Sequence, residues 1–177
     1  MKLLNSAIFG CMALIIALPG SALANGVTQF KEHQSWNSMI VSDGKNTFYR
    51  SGAVGTDHGF FIDRRASSCD FAWPNVNILK INAGADVIEP AFYGELRIDN
   101  RPTRSFDGSL EWLSNKSGLI NLDNIGPTKS LIDEIKTGKK IQFSFFIDKN
   151  NPIVWTYDLT GATQALQRAL NLCEDSA

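Results

Sequence analysis

The chain has 177 residues, of which 44% are hydrophobic, with 17 Lys and Arg against 18 Asp and Glu and a formal net charge of −1. This length is enough for one domain with a buried core. The near-neutral balance argues against partners such as nucleic acid or anionic lipid surfaces, because both require clustered positive charge.

The first 24 residues have the pattern of a secretory signal peptide. Lys2 gives a basic start, Leu3–Leu18 is almost entirely apolar, and Pro19-Gly20 ends the run. The small residues of Ala22-Leu23-Ala24 occupy the positions that a signal peptidase reads. We therefore expect cleavage after Ala24, which would make Asn25 the first residue of the mature chain.

A membrane anchor and a lipid anchor are the two other interpretations of this segment. An apolar run of about 16 residues is short for a membrane span, and no later run approaches the ~20 residues that a spanning helix needs. A lipid anchor would use Cys11, but Phe9 is bulky beside a site that requires small residues. We therefore expect residues 25–177 to form a single exported domain, periplasmic or secreted, with no membrane span after cleavage.

Cys69 and Cys173 are the two cysteines of the predicted mature chain. In an oxidising compartment two cysteines allow one pairing, so we expect a disulfide bond between them. Closing a loop of roughly a hundred residues stabilises a protein by ~4–5 kcal/mol on the chain-entropy model. Two free buried thiols are the alternative. A redox Cys-x-x-Cys pair is absent from the sequence.

Short strands are predicted for the first half of the mature chain. Asn25–Ser35 is polar and is interpreted as an irregular lead-in. Apolar and β-branched residues between turn residues predict strands at Trp36–Ser42, Asn46–Ser51 and Gly59–Asp63. Asp43-Gly44 is typical of a hairpin turn, and the glycine-containing stretch Gly52–Gly59 is interpreted as a loop.

The central part continues this pattern and then changes to a helix. An apolar run at Val76–Asn82 precedes a turn at Ala83–Asp86. Side chains alternate along Phe92–Asp99, as in a half-buried strand of an antiparallel sheet. Weaker strand patterns follow at Thr103–Phe106, Ser109–Leu113 and Leu119–Leu122. A short helix is then expected near 130–137, with Ser130 as its cap and Gly138 after its end.

A hairpin and a helix are predicted for the last forty or so residues. Apolar residues alternate in the hairpin at Ile141, Phe143, Phe145, Ile147, Ile153, Trp155, Tyr157 and Leu159. The helix near 161–173 has one apolar stripe, formed by Ala162, Ala165, Leu166, Ala169, Leu170 and Cys173. The chain thus predicts a mainly β (α+β) fold, an antiparallel β-sandwich or flattened barrel with two helices, and Cys173 facing the sheet.

No catalytic, metal-binding or cofactor-binding residue is predicted. His33 lies in the polar lead-in. His58 follows Asp57, which is the order of a base oriented by a carboxylate, but a glycine-flanked surface loop explains the same residues. We expect both histidines to be replaceable without loss of folding. The sequence contains no zinc-ligand spacing, nucleophile elbow, phosphate loop or dinucleotide fingerprint.

The tryptophans outside the clear hairpin are candidates for a binding surface. Trp36, Trp73 and Trp112 fall near loops or strand ends, and large exposed aromatic side chains mark interaction patches. Carboxylates are also plentiful, at Asp86, Glu89, Glu95, Asp99, Asp107 and Glu111.

The second half of the chain resembles a known family over residues 92–173. The resemblance rests on Gly94–Asp99, Leu131–Lys136, Gly138–Ile141 and Leu159–Leu166, and the family is that of exported bacterial proteins named after the invasion-associated locus B protein. It implies an exported β-rich domain without known catalysis. Members often carry more cysteines than this chain, so the bridge pattern of the family is not carried over.

These features predict a non-catalytic periplasmic or secreted binding protein of a Gram-negative bacterium, whose partner is another protein or an envelope component. Two alternatives stay open. One is an inhibitor or immunity-type protein that blocks an envelope-active enzyme by inserting a loop. The other is a small envelope hydrolase, which would need two carboxylates ~5–10 Å apart in a cleft.

Processing of the exported protein gives a first prediction. The mass of the protein recovered from the envelope or medium should correspond to a chain that begins at Asn25 and carries no lipid. Intact-protein mass spectrometry measures this. A mass that includes residues 1–24, or a diacylated Cys11, would contradict the prediction of export by a cleaved signal peptide.

Overall fold

The computed structural model describes residues 26–78, 91–112, 117–148 and 151–177. Within these ranges ten strands form one antiparallel sheet that is not closed. The strands are β1 (Val27–His33), β2 (Trp36–Ser42), β3 (Thr47–Val54), β4 (His58–Arg65), β5 (Ser68–Ile78), β6 (Ala91–Ile98), β7 (Arg104–Trp112), β8 (Gly118–Asp123), β9 (Lys140–Asp148) and β10 (Asn151–Asp158). The helices are α1 (Thr128–Thr137) and α2 (Ala162–Glu174). The mainly β fold with two helices is as the sequence predicts.

The sheet has the order β1-β2-β3-β4-β5-β8-β7-β6-β9-β10 and rolls over one face. Its last strand consequently lies near its early strands. The indole Nε1 of Trp36 donates a 2.8 Å hydrogen bond to the carbonyl oxygen of Asp158 in β10. The imidazole Nδ1 of His58 in β4 lies 2.6 Å from the hydroxyl of Tyr157 in β10. Side chains therefore connect β10 to β2 and β4, with which it shares no strand ladder among the described residues.

The concave face of the sheet, called the inner face below, carries the main core. Side chains alternate along each strand, so Phe60 and Ile62 of β4 and Val76 of β5 point inward. The predicted β9–β10 hairpin is confirmed, with Phe143 opposite Trp155. Phe143 is fully buried, and its ring lies 4.9 Å from that of Phe60. Burial of large apolar side chains like these, at ~1.5–3 kcal/mol each, is the main stabilising contribution.

Helix α2 packs its small, apolar stripe onto the inner face of β2 and β3. Ala165, Leu166, Ala169 and Cys173 are all buried, as their spacing predicts. The helix starts after Gly161, which has φ of 89°. A side chain at Gly161 would collide with the carbonyl oxygen of His33, so close chain approach and left-handed backbone both require glycine here.

Helix α1 forms without the predicted side-chain cap. It starts after Pro127, and no side chain caps its N-terminus. The hydroxyl of Ser130 accepts a 2.6 Å hydrogen bond from Arg104 instead, and the same guanidinium contacts Glu134. Leu131, Ile132 and Ile135 are buried, so packing rather than capping holds this helix.

The structure corrects two predictions for the first half of the chain. Residues 27–33, expected to be irregular, form β1 at the sheet edge, although its side chains are largely exposed. The expected loop Gly52–Gly59 is mostly strand, because β3 runs to Val54 and β4 starts at His58. Local glycine content predicted a loop, whereas pairing with neighbouring strands decided the structure. The predicted turn Ala83–Asp86 lies outside the described residues.

The predicted disulfide is present between Cys69 of β5 and Cys173 of α2. Their Cα atoms are 5.7 Å apart, and the sequence separation is 104 residues. Cys173 is fully buried at the last turn of α2. The bond thus fixes the end of the helix to the sheet. Neither described helix has the length and apolar character needed to cross a membrane.

Loss of this bond should destabilise the fold. Cys69→Ala and Cys173→Ala should each lower the free energy of unfolding by about 2–5 kcal/mol, and the double variant by little more, because all three remove the same cross-link. Denaturant unfolding of the four proteins, with a free-thiol assay of the unreduced wild type, measures this. Single-variant costs that add in the double variant would be inconsistent with one shared bond.

Candidate binding surface

An arginine between two aromatic rings marks the outer face of β3–β5, the face opposite the main core. The Cζ atom of Arg65 lies 5.1 Å from the ring centroid of Phe48 and 5.2 Å from that of Trp73. Phe71 packs edge-on against Trp73 with 4.7 Å between ring centroids, and 53% of its surface is exposed. We call these four residues, Phe48, Arg65, Phe71 and Trp73, the arginine–aromatic surface.

Local strand geometry places these side chains together. Phe71 and Trp73 are two residues apart in β5, so they share a face of the sheet. Phe48 and Arg65 are directly paired across β3 and β4. The register of β4 with β5 shifts between Asp63 and Arg65. Such a bulge redirects the side chain next to it, and Arg65 is the residue that follows the shift.

A buried ion pair supports this surface from one side. Arg50 donates through Nε and Nη2 to the two carboxylate oxygens of Asp63, each at 2.7 Å. Asn75 donates a further 3.0 Å hydrogen bond to Asp63. Arg50 also lies over the ring of Phe61, 4.6 Å from its centroid. The bidentate geometry satisfies both charges, and removing one partner from such a pair costs ~3–5 kcal/mol.

The ring of Phe61 lies flat on the outer face because two neighbouring residues are glycines. A Cβ atom at Gly52 or Gly59 would overlap the Phe61 ring. Amide oxygens of Asn37, Asn75 and Asn77 are buried in the same region and accept no hydrogen bond from the residues that the structure describes. Asn75 and Asn77 belong to β5, and their neighbours Val76 and Ile78 point to the main core. The outer face is closely packed around Phe61.

The composition of the surface suits binding rather than catalysis. Trp and Arg, with other large aromatic residues, carry much of the energy in protein interfaces. Cation–π contacts with Phe48 and Trp73 also favour one position of the Arg65 guanidinium. No nucleophile, histidine or pair of free carboxylates is among the four residues.

His58 is not on a surface loop, as its sequence context suggested, but is the first residue of β4 and is partly buried. Its ring stacks on that of Trp155 at 4.3 Å. Burial raises the pKa of Tyr157, so its hydroxyl stays protonated, and this hydroxyl shares a 2.6 Å hydrogen bond with Nδ1 of His58. Burial lowers the pKa of His58, although the charge of Asp57 opposes this. These contacts give His58 a role in joining β4 to β10.

The described carboxylates do not form the arrangement that a glycosidase needs. Asp107 and Asp123 are directly paired on β7 and β8, but both are exposed on the sheet surface. A shallow cleft of about 180 Å³ on β6 and β9 is lined by Glu95 as its single carboxylate, together with Arg97. Asp86 and Glu89 lie outside the described residues. Among those described, no group of three metal-ligating side chains occurs.

The three candidate tryptophans have different outcomes. Trp36 is 1% exposed and belongs to the core, whereas Trp73 is partly exposed and belongs to the arginine–aromatic surface. The side chain of Trp112 is outside the described part. Sequence reasoning missed Phe48, Arg65 and Phe71. The i, i+2 spacing of Phe71 and Trp73 was the available signal, but residues 68–75 were not interpreted as a strand.

Comparisons with known proteins give no relative for this chain. No family model, curated protein or solved structure matches it.

Burial of His58 predicts a pH dependence of stability. Because the folded-state pKa of His58 is below its ordinary value of 6.5, the unfolded chain binds more protons as the pH falls below about 6.5. The free energy of unfolding should therefore be constant near pH 8 and decrease towards pH 5. Denaturant unfolding at several pH values, for the wild type and the non-titrating His58→Asn variant, measures this, and the decrease should be smaller in the variant.

His33 needs its own variant in that experiment. Its pKa is also lowered, by burial and by the charges of Lys31 and Arg168. Titration of His33 therefore also decreases the free energy of unfolding as the pH falls. His33→Asn separates the two contributions. An identical decrease in wild type and His58→Asn would show that burial of His58 does not contribute to the pH dependence.

Proposed function

We propose that this protein is an exported, non-catalytic binding protein of the bacterial envelope, periplasmic or secreted, which binds a partner through the arginine–aromatic surface. The observation that carries the proposal is the exposure of Phe71 against Trp73 beside an arginine held between two rings. A half-exposed phenylalanine on a regular strand loses hydrophobic stabilisation unless a partner covers it.

Features of the chain outside this surface support the same proposal. The signal-peptide pattern of residues 1–24 and the disulfide Cys69–Cys173 both suit an oxidising exported compartment. The resemblance of residues 92–173 to the invasion-associated locus B family implies a comparable exported β-rich domain. The partner is another protein or an envelope component, and no cofactor is part of the proposal.

The two alternative functions receive less support from the geometry. Loop insertion into an enzyme would use Gly52–Gly59, but only residues 55–57 connect β3 to β4. A hydrolase of the paired-carboxylate type would need two carboxylates facing one cleft, and the described cleft contributes Glu95 alone. The binding function therefore fits the described residues best.

Substitution of Phe71 tests this function. Envelope components that the exported protein captures should first be identified and purified. Each is then titrated with the wild type and with Phe71→Ala. The affinity of Phe71→Ala should be at least tenfold weaker than that of the wild type, a change of about 1.4 kcal/mol. Phe30→Ala is the matched control, because Phe30 is also a strand phenylalanine and is 50% exposed against 53% for Phe71. Both variants should unfold like the wild type, since exposed substitutions rarely change stability by more than ~0.5 kcal/mol.

Equal affinity of Phe71→Ala and wild type for every captured component would contradict the proposed use of this surface. Enzymatic turnover of a captured component by the exported protein would contradict the non-catalytic assignment.

A further inference from the structure

The two arginines on the outer face of β3–β5 differ in how their charge is compensated. Arg50 is paired with Asp63 through two hydrogen bonds. Arg65, one strand away, has no ion pair or side-chain hydrogen bond with any residue in the described ranges, and it is exposed. The carboxylates of Asp70 and Glu174 act on its neighbour Arg64, whose side chain is buried. Arg65 thus presents an uncompensated guanidinium between two rings.

We infer that the partner of this surface is a protein segment that places a carboxylate on Arg65 and an apolar or aromatic side chain on Phe71 and Trp73. This inference rests on the proposed binding function and names the chemistry of the partner. A guanidinium binds a carboxylate through two parallel hydrogen bonds. Because Phe48 and Trp73 flank the guanidinium, little side-chain entropy is lost when those bonds form.

The charge distribution favours one carboxylate over a polyanion. Nucleic acid and anionic lipid surfaces require several cations close together. Here a single uncompensated cation lies among aromatic rings, in a chain with formal net charge −1. A protein segment with an acidic residue beside an aromatic one matches both the charge and the apolar area.

Two labelled peptides test the inference on the full exported protein. One is a fluorescein-labelled peptide of alternating phenylalanine and glutamate, and the other has glutamine at every glutamate position. Fluorescence anisotropy at low salt should show the glutamate peptide binding at least tenfold more tightly, and added salt should reduce the difference because the charges are exposed. Arg65→Gln should remove the difference in affinity between the two peptides, and Arg65→Lys should retain part of it.

The matched control is Arg97→Gln, the same substitution at an exposed arginine on the outer face of β6. It should leave the preference for glutamate unchanged. Unfolding curves of Arg65→Gln and Arg97→Gln should match the wild type, which shows that both variants are folded. If Arg97→Gln weakens the preference for glutamate as much as Arg65→Gln does, the inference is overturned. The preference would then reflect the overall charge of the protein.

Equal affinity for both peptides, or binding of neither, would also overturn the inference. So would binding to phosphatidylglycerol vesicles that depends on Arg65 and is tighter than binding to the glutamate peptide. These failures differ from failure of the proposed function. If a captured component still requires Phe71 while the peptides do not distinguish Arg65, the surface binds a partner of other chemistry.

Discussion

Packing of α2 against the inner face of the sheet is the constraint on which the other features depend. The buried stripe includes the small side chains of Ala165 and Ala169, so the helix lies close to β2 and β3. Strand geometry then directs alternate residues away from the helix. Phe61 and Arg50 belong to that second set, and so does the arginine–aromatic surface. A core on one face thus leaves Phe71 exposed on the other.

The same packing explains why a disulfide lies where it does. Helix α2 has 13 residues, and a helix of this length is marginal without tertiary contacts. Small side chains bury little area each, so the stripe alone stabilises the helix modestly. The bond from Cys173 to Cys69 fixes its last turn to β5, two residues before Phe71. One covalent bond therefore holds both the end of the helix and the strand that carries Phe71 and Trp73.

Two arginines on neighbouring strands of the sheet are held by different contacts. Arg50 is largely buried and paired with Asp63, so its charge serves the fold. Arg65 is exposed and lies between Phe48 and Trp73, and it has no ion pair with any described residue. The difference follows from position. Asp63 is the direct cross-strand partner of Arg50, whereas the direct partner of Arg65 on β3 is the uncharged Phe48.

Local patterns in the sequence determined the strand β2, the β9–β10 hairpin, both helices and the pairing of the two cysteines. Those features depend on alternation, helical period and the number of cysteines, which neighbouring residues define. Tertiary structure decided that residues 27–33 form an edge strand, that His58 contacts Tyr157 across 99 residues, and that Phe48, Arg65 and Trp73 meet. These contacts depend on strand order and register, which arise only when distant segments bury their apolar faces together.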